Sequence, residues 1–275
     1  MSMSAAVEVP SWAGVALSLL LVVVALAVVV WQRLGLARDV LTAAARAAVQ
    51  LAAVGAVLGY LFAHAGALGS LGWVTGMVVI GGRVAGRRGS GLPRATLAAT
   101  TGLAVGTAAT LGLLVGAGIV HGQPRVVVPV AGMVVSASLT ACGLVLVRLR
   151  DEVERSRPLV EARLALGLGA DESFAPHLRT ALRTALIPGI DSTRVVGLIT
   201  LPGAMTGLIL AGVPPLTAIR YQVVVMYLGL GAPAMTAVVA ALVVRRSLFD
   251  EGLRLRQLTV PARRHPRQRR PAPAA

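Results

Sequence analysis

Long uncharged apolar runs recur along this 275-residue chain, and the first, Trp12–Trp31, contains no charged residue at all. A helix needs roughly 20 apolar residues to cross the hydrocarbon core of a bilayer, so runs of this length constrain the fold more than any other feature. Further runs fall at 41–62, 68–84, 95–120, 126–147, 195–213 and 221–244. Together they predict an all-α, polytopic integral membrane protein with seven transmembrane helices, the third short and rich in glycine. Only 13% of the residues are charged, against about 25% in soluble domains, which excludes an ordinary soluble fold. The first run lacks the basic start and small-residue cleavage site of a secretory signal. It reads as a retained helix with tryptophans at both interfacial positions.

The formal net charge of +15 resolves into a topology signal. Arginines cluster in the segments that begin at Gln32, Arg83, Arg148 and Arg245, whereas the alternate connections hold only Arg125 and Arg220. Basic residues accumulate on the cytoplasmic side, so the N-terminus is expected outside and the C-terminus in the cytoplasm. Residues 1–250 form the expected transmembrane domain, followed by an Arg/Pro-rich tail, 251–275. The composition of that tail predicts disorder and attraction to anionic lipid of about 1 kcal/mol per close arginine; a solvated topology signal is the plainer reading. Nucleic-acid binding is not expected, because no aromatic residues are interleaved to stack on bases. All 26 basic residues are arginine, so neither a P-loop lysine nor a Schiff-base lysine is available. If ATP drives this protein, another polypeptide binds it. Cys142 is alone, which excludes an intrachain disulfide and a cysteine metal cluster.

One long polar segment, 148–194, is expected as a cytoplasmic loop, and it holds most of the acids. Its start continues the fifth helix, and Pro158 favours a break or a fresh helix start. Residues 159–168 pattern as a short amphipathic helix, with Leu159, Ala162 and Leu166 opposite Glu161 and Arg163, stopped by Gly167 and Gly169. A second amphipathic helix sets Leu178, Ala181, Leu182, Ala185 and Leu186 against Arg179 and Arg183. A short rigid knob of this kind can dock on a moving cytoplasmic partner and pass its displacement to the attached spans. Glu161, Arg163, Leu166 and Gly167 are therefore candidate coupling residues, although a plain connecting loop accounts for the same composition.

Residues 185–193, Ala-Leu-Ile-Pro-Gly-Ile-Asp-Ser-Thr, lead into 196–207, Val-Gly-Leu-Ile-Thr-Leu-Pro-Gly-Ala-Met-Thr-Gly, and then into Ala-Ile-Arg-Tyr-Gln at 218–222. This block resembles the FetB-type permease family, the membrane subunits of iron-export ABC transporters, to which plant aluminium-sensitivity permeases also belong. Earlier matches are Arg46, Gln50, Leu51 and Gly55, then Pro-Val-Ala-Gly-Met at 129–133 and Leu-Ala-Leu-Gly at 164–167. The resemblance covers about 38–250. It implies a multi-pass plasma-membrane permease that forms a homodimer and pairs with a separate ATP-binding subunit. ATP and Mg would sit on that partner, with no cofactor on this chain. Around Glu161 and Gly167 the loop also resembles the coupling motif of importer permeases, although the further Ile-x-Leu-Pro is out of register. Family members often carry a Gly-Asn stretch after the fifth-span Gly-Met, where this chain has Ser136 and Ser138 and lacks asparagine altogether. If that amide lines the substrate path, the identity of the substrate need not carry over.

Individual positions in the spans sharpen this expectation. Arg46 and Gln50 lie one turn apart in the second span, where a central arginine costs at least ~2.5 kcal/mol; both are expected to face the bundle, or Arg46 to snorkel. Pro202 with Gly203 and Gly207 would loosen the sixth helix and free carbonyls against a cavity, or else allow close packing of the kind repeated at Gly55/Gly59, Gly102/Gly106 and Gly112/Gly116. Met133, Cys142, Met205, Met226 and Met235 are soft potential ligands, with core packing the competing role for each. Asp191 is expected to cap a helix with Ser192, or to form a gating pair with Arg194 or Arg46. No nucleophile–base or paired-carboxylate arrangement is assembled on one side of the membrane, so catalysis has no support. The expected function is an ABC-exporter permease for iron-like metal ions. An ion-gradient-driven carrier of a small solute is the alternative, and a membrane scaffold a third reading.

Overall fold

Ser11 opens the first helix by accepting the N–H of Gly14 on its hydroxyl oxygen at 3.2 Å. The computed structural model describes residues 11–64, 66–250, 252 and 254–258. Among these, the helices are α1 (Trp12–Trp31), α2 (Ala37–His64), α3 (Gly66–Arg88), α4 (Ala95–Gly116), α5 (Pro124–Ala165), α6 (Ala170–Arg194), α7 (Gly203–Leu210) and α8 (Pro215–Leu248). Six of them, α1 to α5 and α8, are long and apolar enough to cross a membrane, so the chain is an all-helical, multi-pass membrane protein. It divides into two compact units, Met1–Ser70 with Gly203–Ile219 and Leu71–Pro202 with Arg220–Ala275.

In the first unit, α1 is apolar on every side and none of its residues is buried, which is the pattern of a helix surrounded by lipid. The chain leaves it through Arg33 and Gly35, both at positive φ, and α2 returns to pack against it. The expected sixth span, 195–213, is not a continuous helix. Gly197 has φ +83°, its N–H bonds the carbonyl of Thr200 at 2.9 Å, and helix resumes only beyond Pro202. The resulting α7 has 8 residues, about 12 Å at 1.5 Å per residue, too short to span. Gly212, at φ +85°, ends it, with the N–H of Val213 bonded to the carbonyl of Leu208 at 3.0 Å.

The second unit is built on close approaches between small residues. A Cβ added to Gly102 would stand 2.7 Å from the carbonyl oxygen of Thr236, and Gly106 faces the same threonine, so α4 and α8 meet almost backbone to backbone. Gly82 and Gly86 of α3 meet Thr100 and Thr96 of α4 in the same manner. By contrast, Gly55, Gly59, Gly112 and Gly116 share the spacing but have nothing within 4 Å of an added Cβ.

At 42 residues, α5 is about 63 Å long, twice the ~30 Å hydrocarbon thickness. Its charged second half is the stem on which α6 folds back. Val153 and Val160 of α5 and Phe174, Leu178 and Ala181 of α6 are buried in one cluster that continues into the apolar zone through Val145 and Ala185. Pro158 does not break the helix as expected. It sits exposed on the outer face, where the Glu154 carbonyl deprived of its donor can be hydrated. Nor is the 148–194 segment wholly a loop: α6 runs unbroken through Pro176 and Pro188, and its last turns line a cavity together with Ala137 and Thr140 of the apolar part of α5.

Candidate functional site

Two features of the second unit offer chemistry. The first is the tip of the α5–α6 hairpin. Gly167, at φ +87°, ends α5 by a double reversal bond, its own N–H to the Leu164 carbonyl at 3.0 Å and the Leu168 N–H to the Arg163 carbonyl at 3.2 Å. Only glycine takes this conformation without strain. The tip presents Leu166 at 79% exposure. Arg163 donates to the Ser173 carbonyl across the turn at 3.3 Å, and Glu161 accepts from Arg157 at 3.0 Å. The predicted coupling residues Glu161, Arg163, Leu166 and Gly167 therefore share the tip of the α5–α6 hairpin, beside a groove of about 790 Å³.

The start of the predicted tail forms the other wall of that groove. Arg157 Nη2 donates to the carbonyl oxygens of Leu255 at 2.9 Å and Arg256 at 2.7 Å, and Leu255 is buried and bridged to Phe249. Residues 254–258 thus lie against α5; residues 251, 253 and 259–275 of the predicted disordered tail fall outside the described residues. Nearby, Arg245 of α8 pairs with Asp171 in the first turn of α6 at 3.1 Å, where the helix dipole also favours a carboxylate.

The second feature is a cavity of about 640 Å³ between α5, the last turns of α6 and α8. Its α8 wall is Gln222, Met226, Gly229, Leu230 and Pro233, a helical i, i+4, i+7 series. Thr140 of α5 and Ser192 and Thr193 of α6 supply hydroxyls, and Leu144, Leu186 and Ile190 are among the apolar wall.

Of the predicted pathway residues, Pro202 lines this cavity. Met133 and Ser136 are exposed on α5, and Ser136 enters indirectly because its carbonyl accepts the Thr140 hydroxyl at 3.3 Å. Ser138 is fully buried, with no hydrogen-bond partner for its hydroxyl among the described residues. Arg46 and Gln50, exposed on α2, and Met205 of α7 belong to the first unit. Asp191 does not cap a helix start; it lies in the last turn of α6 and pairs with Arg194 at 3.0 Å, which offsets the unfavourable placement of a carboxylate at a helix C-terminus. Gln222 and Thr140 were missed as site residues. A lone amide in an apolar span, in phase with Met226, was the available signal.

Comparison with known proteins covers nearly the whole chain. The model described as "Uncharacterised protein family (UPF0014)" matches residues 12–249. The chain is 38% identical to "UPF0014 membrane protein STAR2" of Oryza sativa subsp. japonica over 85% of this chain and 82% of that one. It is 35% identical to "Protein ALUMINUM SENSITIVE 3" of Arabidopsis thaliana, over 86% and 87%. To "Probable iron export permease protein FetB" of Escherichia coli it is 33% identical, over 86% and 92%. No solved structure matches. A match of this extent, carried by a chain of membrane-spanning helices, makes the protein a member of the UPF0014 family.

Proposed function

We propose that this chain is the permease subunit of an ABC-type exporter in the plasma membrane, moving metal ions or metal-bearing solutes with ATP hydrolysed on a separate subunit. The observation that carries the reading is the likeness, over 86% of this chain, to the bacterial protein named as an iron export permease. The α5–α6 hairpin supports it, because its exposed leucine and glycine-closed turn give a moving partner a firm place to push. Two copies of the permease would each present one such tip. The chain itself binds no cofactor; ATP and Mg belong to the partner. The arginine bias supports placing the N-terminus outside and both the tip and the C-terminus in the cytoplasm, an arrangement in which the stretch from the last turns of α6 through α7 makes the return crossing as a broken helix. Arg46 and Gln50 on α2, Met205 on α7 and the Asp191–Arg194 pair are proposed to line or gate the path.

Co-purification with an ABC-type ATP-binding subunit from the same organism tests the reading. A stable complex whose ATPase activity responds to the permease is expected. Failure of the two to associate in nanodiscs would overturn the assignment.

A further inference from the structure

The wall of the cavity in the second unit includes a residue, Gln222, with a polar atom that the fold does not use. Gln222 is 8% exposed, and its Oε1 has no hydrogen-bond partner among the described residues, an arrangement that ordinarily costs about 1–3 kcal/mol. Its neighbours are also acceptors. Pro233 has no N–H, so the Gly229 carbonyl four residues earlier loses its helical donor. Thr140, Ser192 and Thr193 direct their hydroxyl protons to the carbonyls of Ser136 and Gly189, at 3.3, 2.8 and 2.9 Å, which leaves their oxygen lone pairs available. Among the described residues, no charged one lines the cavity.

A bare di- or trivalent cation does not suit these walls. It would surrender its hydration shell without the carboxylates that normally replace it, and among the described residues no group of three His, Cys, Asp or Glu side chains is placed to hold one. About 640 Å³ of mainly apolar space with a few convergent polar atoms is instead the form of a pocket for an organic molecule. We propose that this cavity binds an uncharged, largely apolar organic solute whose hydrogen-bond donor meets the Gln222 amide. A metal passing through it would travel inside a neutral chelate. The transport consequence rests on the permease reading; the binding does not.

The test uses the full chain in nanodiscs without any ATPase. Three probes are titrated: oxine, which is neutral and carries a phenolic donor, its charged sulfonate, and free ferrous ion. Gln222→Leu removes the amide at similar volume, and Gly229→Leu fills the cavity from a position where an added Cβ meets nothing within 4 Å. Saturable binding of oxine is expected, at least tenfold weaker for the sulfonate and at least tenfold weaker in either variant. Gln222→Leu should keep or raise the unfolding midpoint, since an unpartnered polar atom has gone. No saturable binding, equal binding by the variants, or preference for the sulfonate or ferrous ion would overturn the proposal. So would a lowered midpoint in Gln222→Leu, which marks a structural amide. Oxine binding without ATPase association would leave the cavity standing and remove the exporter reading; association without oxine binding would do the reverse.

Discussion

Gly102 and Gly55 look alike in the sequence, each inside a span and each with a second glycine four residues on, yet their surroundings differ. A methyl group at Gly102 would meet the Thr236 backbone oxygen at 2.7 Å, which cannot rotate away, whereas one at Gly55 meets nothing. Gly102→Ala is expected to destabilise the protein by about 1–3 kcal/mol. Gly55→Ala should stabilise it by up to about 1 kcal/mol through helix propensity alone. Denaturant unfolding in detergent distinguishes the two, and equal effects would contradict the packing of α4 on α8. Arg157 is the other residue whose role emerged only in three dimensions, because its partners lie 98 and 99 positions away. Lysine is a point charge without the planar fork, so Arg157→Lys should release 254–258 and speed protease cleavage there several-fold. Unchanged cleavage would mean that Leu255 burial alone holds the segment.

At the scale of elements, the spans were legible wherever apolar length and helix coincide, as in α1, α4 and the first half of α5. The 195–213 segment was not, because apolar composition cannot distinguish a full crossing from a short helix preceded by a turn. The breaking residues, Gly197, Pro202 and Gly212, were in view, but their combined effect depends on backbone geometry. Proline misled in the opposite sense at Pro158, and α6 likewise continues through Pro176 and Pro188, where packing of one helix on another outweighs the lost bond. The stop at Gly167 was legible because a left-handed cap has a specific sequence sign. Phe174, fully buried between α5 and α8 residues and edge-on to Phe249 at 6.4 Å between ring centroids, anchors the start of α6. Phe174→Ala is expected to cost about 3–5 kcal/mol and to raise amide exchange through 170–185. Exchange confined to the residues beside the substitution would show that α6 does not depend on this anchor.

For the whole molecule, the proposal requires a cytoplasmic tip that receives force and a cavity that receives solute, joined by a rigid hairpin. In the structure α6 connects the two directly, starting at the tip with Ala170 and ending beside the cavity with Ser192 and Thr193. Sequence reasoning located the tip but not the cavity, since the cavity walls come from three helices whose pairing no periodicity encodes. The most direct measurement is ATP-driven iron transport in vesicles holding this chain with its ATP-binding partner, comparing wild type with Leu166→Asp. The substitution lies on an exposed side chain and should leave insertion intact. The account predicts ATP-dependent transport by the wild type and at least a tenfold loss in Leu166→Asp at unchanged protein level. Transport that proceeds without ATP, or that Leu166→Asp leaves untouched, would contradict it.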